Sequence, residues 1–232
     1  MNAQGKRSGE TAREYAYRMI REQVISLELK PGEAFNDMEF AAKIGVSRTP
    51  VREAVIQLSE ESRIIEIFPQ RGMRIAPIDV ELVEEARSLR VLLEKQIAGM
   101  CCEMATEEDI KWLQENVGLQ EFYMENSRPE MVMQLDDEMH HKLFMICHRE
   151  LTYGMCQKLA IHYDRIRSLS VNTVKDNTII EDHRKIIQFI AEHKKENAMA
   201  QMEKHLSRWQ LNEGKFRQKF PVLNDGDDFS LK

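Results

Sequence analysis

Asp136 and His140 stand four residues apart, so on a helix both side chains leave one face and form a two-point chelate for a divalent metal. All seven histidines of this 232-residue chain fall between positions 140 and 205. His183, in EDHRKIIQFI, precedes the apolar positions Ile186, Ile187 and Ile190; His205, in MEKHLSRW, neighbours Met202, Leu206 and Trp209. Histidines beside apolar stripes on separate helices can converge inside a helical bundle. One carboxylate and three imidazoles suit Zn, Ni, Mn or Fe, with one or two coordination positions left open. Spacing alone leaves a second reading, in which these are ordinary packed or half-exposed histidines. His141, His148, His162 and His193 are read that way, as exposed residues.

A different chemistry is written between Gly45 and Leu58, GVSRTPVREAVIQL. Arg48 and Arg52, four apart with Thr49 between them, place charge and hydrogen-bond donors at the start of a helix, where base edges and phosphates are met. Ser47 is a suitable N-cap, its hydroxyl placed to accept from an orphan amide. Pro50 falls in the first turn, the part of a helix that tolerates it. Val51, Ala54, Val55 and Leu58 make the apolar stripe that seats the helix.

The elements that must position these residues divide into two groups. Tyr17, Ile20, Val24, Ile25 and Leu27 predict an amphipathic first helix, stopped at Pro31-Gly32. Asn36 predicts the N-cap of a second helix through Lys43 that buries Phe40 and Ile44. After the GVSRTPVREAVIQL helix, 63–68 and 73–76 read as a short hairpin about the turn Pro69-Gln70-Arg71-Gly72. Three helices and a hairpin make a winged helix-turn-helix over 10–76, with Arg71 at the wing tip. From Asp79 onward helical periods run over 79–104, 106–126, 129–147, 152–174, 177–193 and 195–220, which predicts an all-helical bundle of about six helices over 79–220. Thr106 followed by acidic residues is a helix start, Pro129 opens the next helix, and the tail 221–232 is acidic. The fold class is mainly α.

Composition sets limits. Residues 1–76 carry 12 Lys and Arg against 11 Asp and Glu, and the remainder 21 against 28, so the acidity lies outside the arginine helix. The near-neutral first part must meet nucleic acid through placed arginines rather than a broad field. Cys101, Cys102, Cys147 and Cys156 form no CxxC pair and read as reduced core residues. No apolar run approaches the ~18 residues of a membrane span, and no signal peptide opens the chain, so a cytoplasmic location is expected. The 10 glycines include no phosphate-cradling loop, and no catalytic nucleophile motif is found.

The segment PGEAFNDMEFAAKIGVSRTPVREAVIQL, followed by FPQRGMRI, resembles the DNA-binding domain of the GntR family of bacterial transcription regulators. The resemblance implies that Ser47, Arg48, Thr49, Arg52 and the wing residues Arg71 and Gly72 lie at double-stranded DNA. Met38 departs from members with a basic residue there. LDDEMH, EDHRKII and AMAQMEKHL resemble the FCD effector domain of the FadR-like branch. In many members of that branch an Asp, the His four later and two further His hold a metal. Asp136, His140, His183 and His205 fall on those positions. Arg90 and Glu94, in RSLRVLLE, match the opening Arg and Glu of its first helix. Arg90 is thereby implied at an effector carboxylate, against the alternative of a surface ion pair. Where relatives carry Gly-Asn-Pro this chain has His148-Arg149-Glu150, which places Arg149 among the candidate effector contacts.

The reading that follows is a transcription regulator, expected to be a repressor and a homodimer on a pseudo-palindromic operator. Its operator binding would be controlled by a small carboxylate effector at a divalent metal. The alternatives are a metal-dependent hydrolase carrying a DNA-binding domain, and an architectural DNA-binding protein without ligand.

Overall fold

The computed structural model describes residues 5–173 and 178–207, and it divides into two compact units, one running to Glu81 and one starting at Leu82. The expected end of the last helix (208–220), Trp209, Pro221 and the acidic tail lie outside the described residues.

In the first unit α1 spans Ala12–Ile25, α2 Asp37–Ile44 and α3 Arg48–Ser62. A capping box starts α1: the Thr11 side chain accepts from the Glu14 amide and the Glu14 carboxylate reaches back. Asn36 caps α2, its Oδ1 accepting from the amides of Met38 and Glu39. Gly45 ends α2 at φ +73°, a left-handed conformation that glycine adopts without strain. Ser47 holds the N-cap position of α3, but its side chain makes no capping hydrogen bond, so the expected hydroxyl cap is absent.

The hairpin forms from β1, Ile65–Phe68, and β2, Gly72–Ile75, paired antiparallel with Ile65 opposite Ile75 and Phe68 opposite Gly72. The other edge of β2 is not left open. The Ile75 amide donates to Glu33 O and the Phe35 amide to Met73 O, so the segment after Gly32 lies along it. Sequence reasoning saw only a stop at Pro31-Gly32 and missed this third strand-like stretch. Ala16, Ile20 and Val24 from α1, Val51, Ala54, Val55 and Leu58 from α3, and Ile65 and Ile75 from the hairpin are fully buried together. Phe40 joins them, whereas Ile44 is only half-buried because α2 ends on it.

Among the described residues six helices follow, the first of them starting just before the second unit: α4 Val80–Met104, α5 Glu107–Glu125, α6 Pro129–Ile146, α7 Glu150–Thr173, α8 Thr178–Ala191 and α9 Lys195–Leu206. Thr106 and Asp109 form the capping box of α5, and Pro129 sits in the first turn of α6. The core joins Ala98 and Cys101 of α4, Leu113 and Val117 of α5, Met139, Leu143 and Phe144 of α6, Ile186, Ile187 and Ile190 of α8, and Met202 and Leu206 of α9. All four cysteines are free and buried, as their apolar contexts predicted. Among the described residues no helix is long and apolar enough to cross a membrane.

Leu58 is fully buried, whereas Ile56 on the same helix is exposed. Leu58→Ala is expected to cost about 2–5 kcal/mol through lost transfer energy and a cavity, and Ile56→Ala to stay within about 0.5 kcal/mol. Urea unfolding followed in the first unit checks this, and equal losses from the two would refute the packing.

Candidate functional sites: an arginine-bearing helix and a buried Asp/His cluster

The apolar stripe of α3 fixes the helix against α1 and leaves its N-terminal turn outward. Ser47, Arg48 and Thr49 are exposed there, with Arg52 one turn on. Both arginines converge on one acid that the sequence did not single out. Asp37, buried at the first position of α2, accepts a hydrogen bond from Arg48 Nε at 2.9 Å, and its Oδ2 lies 3.7 Å from an Arg52 Nη. Arg71 is exposed in the wing turn, its amide donating to Phe68 O, and Gly72 takes φ +104°, which restricts that position to glycine.

The second site is built by three helices. The i, i+4 geometry of α6 puts Asp136 and His140 on its buried face; α8 supplies His183 one turn before Ile186 and Ile187, and α9 supplies His205 between Met202 and Leu206. One potential ligand atom from each of the four lies within 4.8 Å of the others, and all four residues are buried. His183 Nε2 is 3.2 Å from Asp136 Oδ1 and 3.3 Å from His205 Nε2. Ligands bound at ~2.0–2.2 Å around one ion are separated by about 3.0–3.5 Å, so these spacings suit a shared cation. His140 Nε2 supports the same fit: it is buried without a hydrogen-bond partner, 3.9 Å from Asp136 Oδ2. A buried nitrogen of this kind costs free energy unless something satisfies it.

Further residues orient these ligands. Gln120, on α5 between α6 and α8, donates from Nε2 to Asn116 Oδ1 at 2.7 Å, which turns its carbonyl to His183 Nδ1 at 2.8 Å. The proton of His183 is thereby assigned to Nδ1 and the lone pair of Nε2 faces the cluster. Glu94 Oε2 lies 2.5 Å from His140 Nδ1, while its Oε1 accepts from Arg90 Nε at 2.6 Å. Arg167 pairs with Asp136, with Asp137 at 2.9 Å and with Asp164 at 2.7 Å.

These neighbours decide the charge states. Burial pushes the Asp136 carboxyl up, but the Arg167 guanidinium and the histidines outweigh it and hold the group well below its usual range. Burial likewise raises Glu94, and Arg90 and His140 outweigh it, bringing it to about 2. His183 is lowered by burial, against a partial pull upward from Asp136. His205 is driven well down by burial and by the neighbouring His183 and His140. Asp136 is therefore held as a carboxylate, and His183 and His205 are biased toward neutral imidazoles, the protonation that metal ligands require.

The four candidate ligands are brought together; other expectations change. Arg90 and Glu94 are a buried pair tied to His140, not a surface ion pair. Arg149 is exposed at the α6–α7 turn with its guanidinium on His148 O, so it is not brought to the cluster. The expectation of an exposed His162 is corrected as well, since α7 turns it into the interior. Gln120 and Arg167 were missed, and their only sequence signal is a polar residue at a buried helical phase.

Histidines whose folded pKa is lowered bind fewer protons than in the unfolded chain. Their contribution to stability is complete above about pH 6.5 and is lost as pH falls below it. The metal-stripped protein should therefore melt at lower temperature at pH 5.5 than at 7.5, and His205→Gln should flatten that dependence. A melting temperature indifferent to pH over this range would contradict the buried neutral imidazoles.

Residues 12–75 match the family model described as bacterial regulatory proteins, gntR family, and residues 85–208 match the FCD domain. The HTH-type transcriptional repressor RspR of Escherichia coli K12 is 30% identical over 158 residues, covering 68% of this chain and 69% of that protein. A protein of Streptomyces ambofaciens described as an uncharacterized HTH-type transcriptional regulator in unstable DNA locus is 29% identical over 204 residues, 86% of this chain and 84% of that one. Among solved structures, E. coli McbR/YncC shares the fold at a TM-score of 0.73 and 18% identity, over 90% of this chain and 99% of that one. A winged helix-turn-helix and an all-helical unit, each matched by its own family model, thus lead to one assignment: the chain belongs to the gntR family of bacterial regulatory proteins, as a transcriptional regulator with an FCD domain.

Proposed function

We propose that the chain is a homodimeric repressor whose operator binding is switched by a small carboxylate effector held at a divalent metal in the helical unit. The observation that carries this reading is the convergence of Asp136, His140, His183 and His205 in the interior of a unit that follows a DNA-binding domain. These four would hold the ion, and Glu94 and Gln120 would orient His140 and His183 through their Nδ1 atoms. When bound, the ion supplies a Lewis-acid anchor for the carboxylate at its open positions. Arg90, buried beside Glu94 and 5.4 Å from the Tyr163 ring centroid, is the guanidinium nearest in role to an effector contact.

Ser47, Arg48, Thr49 and Arg52 with the wing residues Arg71 and Gly72 form the proposed DNA contacts. One such head makes few base contacts, so selectivity needs two heads on a pseudo-palindrome. A stripe on α7 supports self-association: Leu151, Met155 and Leu159, four residues apart, are 88%, 73% and 38% exposed. Apolar side chains repeated along one helix face in this way favour a covering partner.

Two measurements test the reading. The His183→Ala/His205→Ala double variant should lose bound metal by elemental analysis after Zn²⁺ loading and lose thermal stabilisation by small carboxylates, while keeping basal DNA binding. Equal metal content in variant and wild type would reduce the four residues to ordinary bundle side chains. Leu151→Asp/Met155→Asp should shift the dimer toward monomer in light scattering at micromolar concentration. A variant dimer as tight as wild type would move the interface elsewhere.

A further inference from the structure

We infer that Asp37 is a specificity-determining positioning residue: one buried carboxylate at the start of α2 holds the guanidinium groups of Arg48 and Arg52 so that α3 meets DNA with both side chains already aimed. The inference rests on the proposed reading of those two arginines as DNA contacts.

Asp37 lies in the first turn of α2, where an acid complements the helix dipole, but it is not the cap and its burial needs a further reason. The cap of α2 is already supplied by Asn36, whose Oδ1 accepts from both the Met38 and Glu39 amides. The Asp37 side chain is 3% exposed, and a carboxylate so deeply placed must be compensated. Its compensation comes from α3, eleven and fifteen positions along the chain. Arg48 Nε donates to Oδ1 at 2.9 Å, and an Arg52 Nη stands 3.7 Å from Oδ2, an oxygen that accepts no hydrogen bond from the described residues.

The arginines are tethered without being hidden. Their side chains remain 55% and 60% exposed. Because Arg48 is held through Nε, its two terminal nitrogens stay available as a fork, the arrangement that reads guanine O6 and N7. A free arginine carries large rotamer entropy that binding must remove. A side chain already fixed by a carboxylate has lost much of that freedom before DNA arrives, which favours the site its fork fits. The same negative charge opposes phosphate-only binding, which depends on uncompensated cations. Asp37 therefore raises discrimination from two directions: it presets the operator contact and weakens the indiscriminate one.

The test uses the full chain and a duplex that the wild-type protein enriches from a random library, with a scrambled duplex of equal length as the non-specific probe. Anisotropy titrations at one salt concentration give the ratio of the two affinities. For Asp37→Asn that ratio should fall about two- to tenfold, the scale of one or two side chains losing their preset rotamer. Affinity for the enriched duplex should drop while affinity for the scrambled one holds or rises. In an Arg48→Ala/Arg52→Ala background the same substitution should change the ratio little, because the groups it acts through are gone. An unchanged ratio in Asp37→Asn, or an equal fall in both backgrounds, overturns the proposal. If Asp37→Asn fails to fold, Asp37→Glu carries the test, since it keeps the charge and moves it by one methylene. A several-fold fall in its ratio is expected, and wild-type discrimination there would overturn the proposal. Wild-type discrimination in Arg48→Ala/Arg52→Ala has a separate meaning, as it removes the assignment of these arginines to DNA on which the inference stands.

Discussion

The helical unit depends on how it disposes of buried charge. Asp136 lies in the interior with three imidazoles, and Glu94 lies beside one of them. Neither carboxylate could stay ionised there alone, because desolvation favours the neutral form. Arg167 and Arg90 resolve this by bringing guanidinium groups from α7 and α4 into the same interior. Each acid is thus bound to a fixed cation on one side and faces a histidine on the other. Five helices, α4 and α6 to α9, are committed to this one network, and α5 adds Gln120. Replacing such a network by apolar residues would often stabilise a protein, so its presence argues for a use other than stability.

Much of this was readable beforehand, and what was not has a common cause. Period and caps located the helices well: Thr106 and Asn36 cap as expected, and Pro129 opens α6. Spacing marked the four candidate ligands only as possibilities, two at an i, i+4 interval and two beside isoleucine and methionine stripes, and the resemblance to the FCD domain singled them out. Arg167 and Gln120 carry no such local mark. Their role exists only where α7 crosses to Asp136 and where α5 faces His183, which are contacts between residues 31 and 63 positions apart. His162 misled for the opposite reason, a polar type at a phase that α7 turns inward. Arg149, placed among the candidate effector contacts by motif alignment, lies on a turn carbonyl away from the cluster, since a position aligned by motif need not be aligned in space.

The first unit solves the same problem at smaller scale. Its near balance of charge gives it no broad positive field, so the arrangement of individual arginines must carry recognition. Packing fixes the backbone of α3 through Val51, Ala54, Val55 and Leu58, but packing does not aim a long side chain. Asp37 supplies that aim for Arg48 and Arg52 from the neighbouring helix. In both units, then, a buried acid sets the direction of basic groups that would otherwise be free to rotate.

Under the proposed function these two arrangements must communicate, and the chain's connectivity limits how. α4 begins at Val80, at the junction of the units, and carries Arg90 and Glu94 ten and fourteen residues on. Glu94 touches His140, so whatever engages the Nε2 face of His140 acts on a helix that is covalently continuous with the wing. Continuity alone transmits nothing. An effector shifts operator affinity only to the extent that it binds one placement of α4 better than another. The Arg90–Glu94–His140 chain could offer such a difference, because an effector carboxylate held beside Arg90 would compete with Glu94 for the same guanidinium. Were Arg90 to exchange partners, Glu94 would be left with His140 alone in a buried setting, and that cost would bias α4 only toward a placement that relieves it.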